Sequence, residues 1–162
     1  MLNKLSATYK GLITAVLMIG LSLAIYYSGQ KPDSQFQYLI YVIYAAGIAW
    51  SIYSFSRSEE NPNKFGAFFQ QGFKCFIVVT LFMVLFTYVF NKMHPEFKEE
   101  MAKAYKTEME TKGNSTPAEI ASNVEKMKEY YLTMLISGAI FAYLLMGAVI
   151  TAISSLLFIK RN

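Results

Sequence analysis

NKMHPEFKEEMAKAYKTEMETKGNSTPAEIASNVEKMKEY, residues 91–130, is the only long hydrophilic run in the chain. The sequence on either side of it is almost entirely apolar, aromatic or small. That contrast decides the fold. The run reads as one water-facing excursion between membrane-spanning helices, and the flanks as the bundle that carries it.

Composition agrees. The 162-residue chain is 54% hydrophobic and 16% charged, whereas a soluble domain carries roughly a quarter charged residues to cover its surface. The apolar residues fall in long blocks rather than stripes, and a bilayer crossing needs about 20 in succession, more than a buried core helix uses. One domain, residues 1–162, is expected. The net charge of +4 is spread along the chain, which argues against the clustered basic face of a nucleic-acid binder. Cys75 is the sole cysteine and His94 the sole histidine. An intrachain disulfide is therefore excluded, and so is a Cys/His zinc site, because a helix separates the two by about five turns.

Gly11 to Ser28 is the first expected span. Basic residues before an apolar core also mark a signal peptide, but Ile25-Tyr26-Tyr27 puts bulky side chains where cleavage needs small ones. The segment reads as an uncleaved helix. Gly29 and Pro32 break it, with Asp33 or Ser34 available to cap the next helix. Residues 36–56 form the second span, with Trp50 and Tyr53 as interfacial aromatics and Arg57 as its stop. After a polar loop, Phe65, Phe68, Phe69, Phe73 and Phe76 recur at helical spacing. They suggest a helix start lying in the interface before the third span, residues 72–91.

Within the insert, residues 92–130, Phe97, Met101, Ala104, Tyr105 and Met109 mark an amphipathic helix from Pro95 to about Thr111. Gly113-Asn114-Ser115 breaks it. Thr116-Pro117-Ala118-Glu119 spells a capping box with proline at the first helical position. No breaker then precedes the fourth span, residues 131–159, so that span is expected to be the membrane half of a long helix. The fold class is thus all-α: a polytopic membrane protein with four transmembrane helices and a helical polar insert between the third and fourth.

With four spans both termini share one side with the loop 57–66. That side holds Lys4, Lys10, Arg57, Lys64, Lys160 and Arg161, most of them abutting a span, and is expected to be cytoplasmic. The opposite side holds Lys31 and the insert, whose lysines are interleaved with glutamates and argue the other way. Tyr9-Lys10-Gly11-Leu12 and Gln71-Gly72-Phe73-Lys74 echo one another, as an ancient duplication or the shared grammar of membrane helices would make them do.

Few residues carry chemistry. Lys10 and Lys74, near span ends, could hold a lipid phosphate, although snorkelling anchors account for them equally simply. Gly138, Ala142, Ala148 and Ala152, with Thr151 and Ser155, give small-residue spacing for close helix packing. His94-Pro95-Glu96 could handle protons but reads more simply as a helix start. The carboxylates from Glu96 to Glu129 belong to a solvated face. No Asp, Glu, Arg or His falls inside an expected span, where ion-coupled transporters carry such groups.

Lys64-Phe65-Gly66 to Gly72-Phe73-Lys74, then His94-Pro95-Glu96-Phe97, then Ser115-Thr116-Pro117-Ala118-Glu119-Ile120 give the chain its resemblance to the four-helix membrane proteins of the family called domain of unknown function 4199, frequent in Bacteroidota. The resemblance covers nearly the whole chain. It implies four transmembrane helices in a bacterial inner membrane; the charge distribution, not the resemblance, is what makes the insert the expected periplasmic side. It brings no catalytic residues or cofactor. It also implies, by gene neighbourhood, a polyprenol-phosphate glycosyltransferase as a partner. The expected function is therefore non-enzymatic: an accessory or assembly subunit of a membrane complex. The alternative is a lipid or amphiphile binder using Lys10, Lys74 and the Phe65–Phe76 segment. A membrane enzyme built on His94 and Glu96 is the remote third.

Overall fold

The computed structural model describes residues 5–29, 35, 37–59 and 61–159. Lys4, Lys31, the Asp33 or Ser34 cap, Phe36, Lys160 and Arg161 lie outside the described residues. The described residues form five helices and no strand: α1 (Ala7–Tyr27), α2 (Gln37–Ser56), α3 (Phe65–Met93), α4 (Glu96–Lys112) and α5 (Pro117–Phe158). All but α4 are long and apolar enough to cross a membrane. They group into two compact units, Met1–Met83 with Ile140–Asn162, and Val84–Ala139.

In the first unit the helices alternate in direction. Lys10 and Thr14 of α1 meet Trp50 and Gly47 of α2. Tyr44 and Tyr53 of α2 meet Tyr143 and Phe158 of α5. Gly72 and Phe76 of α3 meet Thr151 and Gly147 of α5 in reverse order. The Tyr44 hydroxyl donates to the Tyr143 carbonyl at 2.9 Å. Gly147, one turn on, leaves the room for it, since a Cβ there would strike the Tyr44 hydroxyl and the Phe76 ring.

The polarity of this unit is that of a bilayer protein. Thr14, Ser51, Ser54, Thr151, Ser154 and Ser155 are buried, while Val16, Leu17, Leu144, Leu145, Val149, Ile153, Leu156 and Leu157 are exposed. In water that arrangement would leave apolar surface uncovered; against lipid, small and hydroxylated residues belong between helices. Thr14, Ser22 and Ser155 donate to the carbonyl one turn back at 2.7–2.8 Å, which satisfies the hydroxyls inside their own helices.

Two boundaries differ from expectation. The first helix starts at Ala7 rather than Gly11, because Ser6 caps it by accepting from the Tyr9 amide at 3.4 Å; Lys10 is thereby brought into the first turn. The phenylalanine segment is not all interfacial. Phe68 and Phe76 are core residues, at 0% and 2% exposure, whereas Phe65 and Phe73 are exposed. Phe68 packs edge-on against Phe55 of α2, centroids 5.6 Å apart.

In the second unit α4 ends at Gly113, whose positive φ of 65° closes the helix. The capping box of α5 forms as spelled: Glu119 Oε2 accepts from the Thr116 amide at 2.7 Å, and Thr116 Oγ1 from the Glu119 amide at 3.3 Å. The tip of the α4–α5 hairpin is set by these two termini. Glu99 pairs with Lys128 of α5 rather than with Lys103 on its own helix, so a charge read as plain surface joins the two arms of the hairpin. The Lys106–Glu110 and Lys112–Glu108 pairs are the solvated i,i+4 contacts that the spacing predicts.

The hydrogen bond from Lys128 holds the Glu99 carboxyl below its ordinary value of 4.5. Capping does the same for Glu119, chiefly through the Thr116 amide. A carboxylate whose folded pKa is depressed contributes stability above its unfolded value and loses it as pH falls through the folded one. Spin labels placed on α4 and on the first turns of α5 should therefore show a broadening separation below about pH 4.5, and Glu99→Gln should bring that broadening to neutral pH.

Candidate functional site

The alternation of helices sends the start of α1, the end of α2 and the start of α3 to the same end of the first unit. There they enclose a cleft of about 850 Å³ lined by Leu5 to Thr8, Lys10, Ser51, Ser54, Phe55, Ser58, Glu59, Gln71 and Lys74. The fold thus brings together Lys10 and Lys74, the two lysines that the sequence offered for a lipid head group.

Lys10 does not snorkel. Its residue is 3% exposed, and its Nζ lies over the Trp50 ring, 5.6 Å from the centroid. Among the described residues neither Lys10, Lys74 nor Glu59 belongs to an ion pair. Trp50, read from sequence as a belt residue, is half-buried beneath this cation. A cation–π contact contributes about 0.5–2 kcal/mol, whereas an unpaired charge in a closed interior costs about 3–5 kcal/mol; in the wall of an open cleft Lys10 bears part of that cost. The ring alone does not settle Lys10; an anion in the cleft would.

The surroundings suit an anion. The amides of Ala7 and Thr8 begin α1 and have no acceptor within the helix, which makes its N-terminus a local positive end. Ser54 Oγ is buried with no hydrogen-bond partner among the described residues, and its residue lines the cleft. Ser51 and Ser58 point their hydroxyls at the Gln71 and Phe55 carbonyls, at 3.5 and 2.9 Å. Lys74 and Glu59 are exposed. Ser51 and Ser54 near the end of α2, with Ser58 just beyond it, bring three serines to the cleft, a signal that the sequence reading passed over.

The other expected positions fall elsewhere. Gly138 has nothing within 4 Å of where its Cβ would be, and Ala142 is exposed, with Ala148 and Ala152 intermediate. The small-residue face that packs inside the chain is Gly147, Thr151 and Ser155, one turn apart each. His94 Nδ1 lies 2.7 Å from Glu96 Oε1, with its ring 4.6 Å from that of Phe90. Glu96, at the start of α4, is held below the usual carboxylate range, first by its own backbone amide and then by His94. That is the chemistry of a helix start. Among the described residues no three His, Cys, Asp or Glu side chains are grouped to hold a metal ion.

Four apolar helices with hydroxyl side chains buried between them and a Leu- and Val-rich exterior define a multi-pass membrane protein. The chain belongs to the family described as protein of unknown function (DUF4199), which matches residues 9–160. No curated protein and no solved structure matches it.

Proposed function

We propose that this chain is a non-enzymatic integral membrane protein that binds the phosphate head group of a membrane lipid or amphiphile in the Lys10 cleft. One observation carries the reading: Lys10 is buried at the mouth of a helix bundle without a counter-charge among the described residues, beside a helix N-terminus, the unpartnered Ser54 hydroxyl and Lys74. A phosphate oxygen supplies the counter-charge that Lys10 lacks and an acceptor for the free amides of the helix N-terminus. The test is purification of the protein from native membranes in mild detergent, with mass spectrometry of whatever lipids and proteins accompany it. A phospholipid retained by the wild type and lost from Lys10→Met supports the reading; equal retention by both overturns it.

The accessory-subunit reading keeps one observation of its own. A groove of about 780 Å³ between α4 and α5 is lined by Met101, Ala104, Tyr105, Met127, Tyr130 and Met134, adaptable side chains of the sort that take up partner surfaces. In the same purification, a stoichiometric membrane protein such as the glycosyltransferase that the family resemblance implies would favour this function.

The proposed location is the bacterial inner membrane, with the cleft and loop 57–66 cytoplasmic and the insert periplasmic. The basic residues flanking the cleft end support that orientation. Cys75 is fully buried, so it gives little background to thiol labelling. An impermeant maleimide on intact cells should label Asn114→Cys and should reach Pro62→Cys only after permeabilisation. The reverse pattern would invert the protein.

A further inference from the structure

We infer that the head group bound in the Lys10 cleft is a phosphodiester that also carries an ammonium, the zwitterionic group of an aminophospholipid, rather than a head group bearing negative charge alone. The inference rests on the reading that the cleft takes a lipid phosphate, and adds to it the class of lipid. Glu59 is the observation behind it. It lines the same cleft as Lys10 and Lys74, it is exposed, and among the described residues it has no ion-pair partner. The cleft is therefore not a plain basic pocket. Among the described residues it holds two ammonium groups, a helix N-terminus and one carboxylate.

Charge placement sorts the ligands. A phosphate seated at Lys10 and the Ala7 and Thr8 amides satisfies the cationic part of the cleft, with Ser54 in its wall. Whatever extends from that phosphate toward solvent then meets Glu59. A phosphomonoester carries close to two negative charges at neutral pH, and a second charge beside Glu59 is disfavoured by like-charge repulsion. A phosphodiester carries one. If its alcohol ends in an ammonium, as in ethanolamine, Glu59 accepts a charge-assisted hydrogen bond from it. If the alcohol is glycerol, Glu59 meets only hydroxyls. Glu59 is solvent-exposed, so this contact is of surface strength. It governs preference between lipids while Lys10 governs binding itself.

The experiment titrates delipidated full-length protein in detergent with equimolar dioleoyl phosphatidylethanolamine and dioleoyl phosphatidylglycerol, read by native mass spectrometry. Wild type should prefer the ethanolamine lipid by on the order of fivefold, about 1 kcal/mol. Glu59→Gln should bind both lipids and bring the ratio to about one. Wild type binding both equally, or Glu59→Gln keeping the wild-type ratio, would overturn this inference and leave the phosphate site standing. Wild type binding neither would remove the phosphate site itself. Glycerophosphoethanolamine, the head group without acyl chains, is added in excess as a competitor. Failure to displace the lipid places the ligand in the membrane, and displacement at lipid-like concentration overturns the lipid assignment.

Discussion

Lys10→Met is expected to abolish lipid-dependent stabilisation of this protein while leaving the lipid-free form at least as stable as the wild type. The two halves of that result come from one buried charge. Lys10 is 3% exposed in the first turn of α1 and has the Trp50 face as its companion. Without an anion, the cation–π contact offsets only part of the cost of burying the ammonium. Methionine has a similar reach, fills the same volume with an apolar chain and carries no such cost. The substitution therefore removes a liability from the empty protein. It also removes the group that turns a phosphate into a stabilising ligand. A thermal unfolding series with added phospholipid reads both effects. Wild type should show a rising midpoint with lipid, in the manner of any ligand that binds only the folded form. Lys10→Met should begin at or above the wild-type midpoint and then stay flat. A lower starting midpoint with an unchanged lipid response would mean that Lys10 is a structural residue and that the phosphate contact lies elsewhere. Lys10→Arg separates charge from shape: it keeps the cation and should keep part of the lipid response, although a guanidinium is larger and its fork is fixed.

The sequence made the helices legible and the cleft nearly illegible, for different physical reasons. A bilayer imposes length and apolarity on each span, and those are written in consecutive residues. The α5 cap is equally local, which is why Thr116 to Glu119 reads the same in sequence and structure. Lys10 is a different case. A lysine beside a span has two stable fates, in water or between helices, and its own neighbours do not distinguish them. What decides is Trp50, Ser54 and Gln71, contributed by two other helices. The same holds for the glutamate face of the insert. Glu99 has Lys103 at the favourable spacing, yet it bonds Lys128 across the hairpin, because the turn at Gly113 brings α5 alongside. The phenylalanine segment has helical spacing that is common to an interfacial helix and a core helix. Phe68 and Phe76 became core once α2 and α5 supplied their partners.

Two glycine-to-alanine substitutions should move stability in opposite directions, and the larger effect belongs to Gly11. Alanine is the better helix former by about 1 kcal/mol, and that term is common to both sites. At Gly138 nothing lies within 4 Å of the new methyl group, so Gly138→Ala should stabilise the isolated protein by up to about 1 kcal/mol. At Gly11 the methyl carbon would lie 2.6 Å from the backbone carbonyl oxygen of Cys75 and 3.0 Å from Val78 Cβ. No rotamer relieves a clash with backbone, so α1 and α3 must separate. Overpacking of this kind costs about 1–3 kcal/mol, and a rigid obstacle places it at the upper end. The net loss for Gly11→Ala is then about 2 kcal/mol. The same separation would widen the cleft, since Lys10 precedes Gly11 on α1 and Lys74 precedes Cys75 on α3. Gly11→Ala should therefore weaken lipid retention along with stability, whereas Gly138→Ala should leave retention untouched. If a partner helix packs on the open face at Gly138, a methyl group there would reduce recovery of that partner without lowering the protein's own unfolding midpoint. Unfolding midpoints and co-purified material from the two variants thus separate a small residue needed inside the bundle from one that only a neighbour could need.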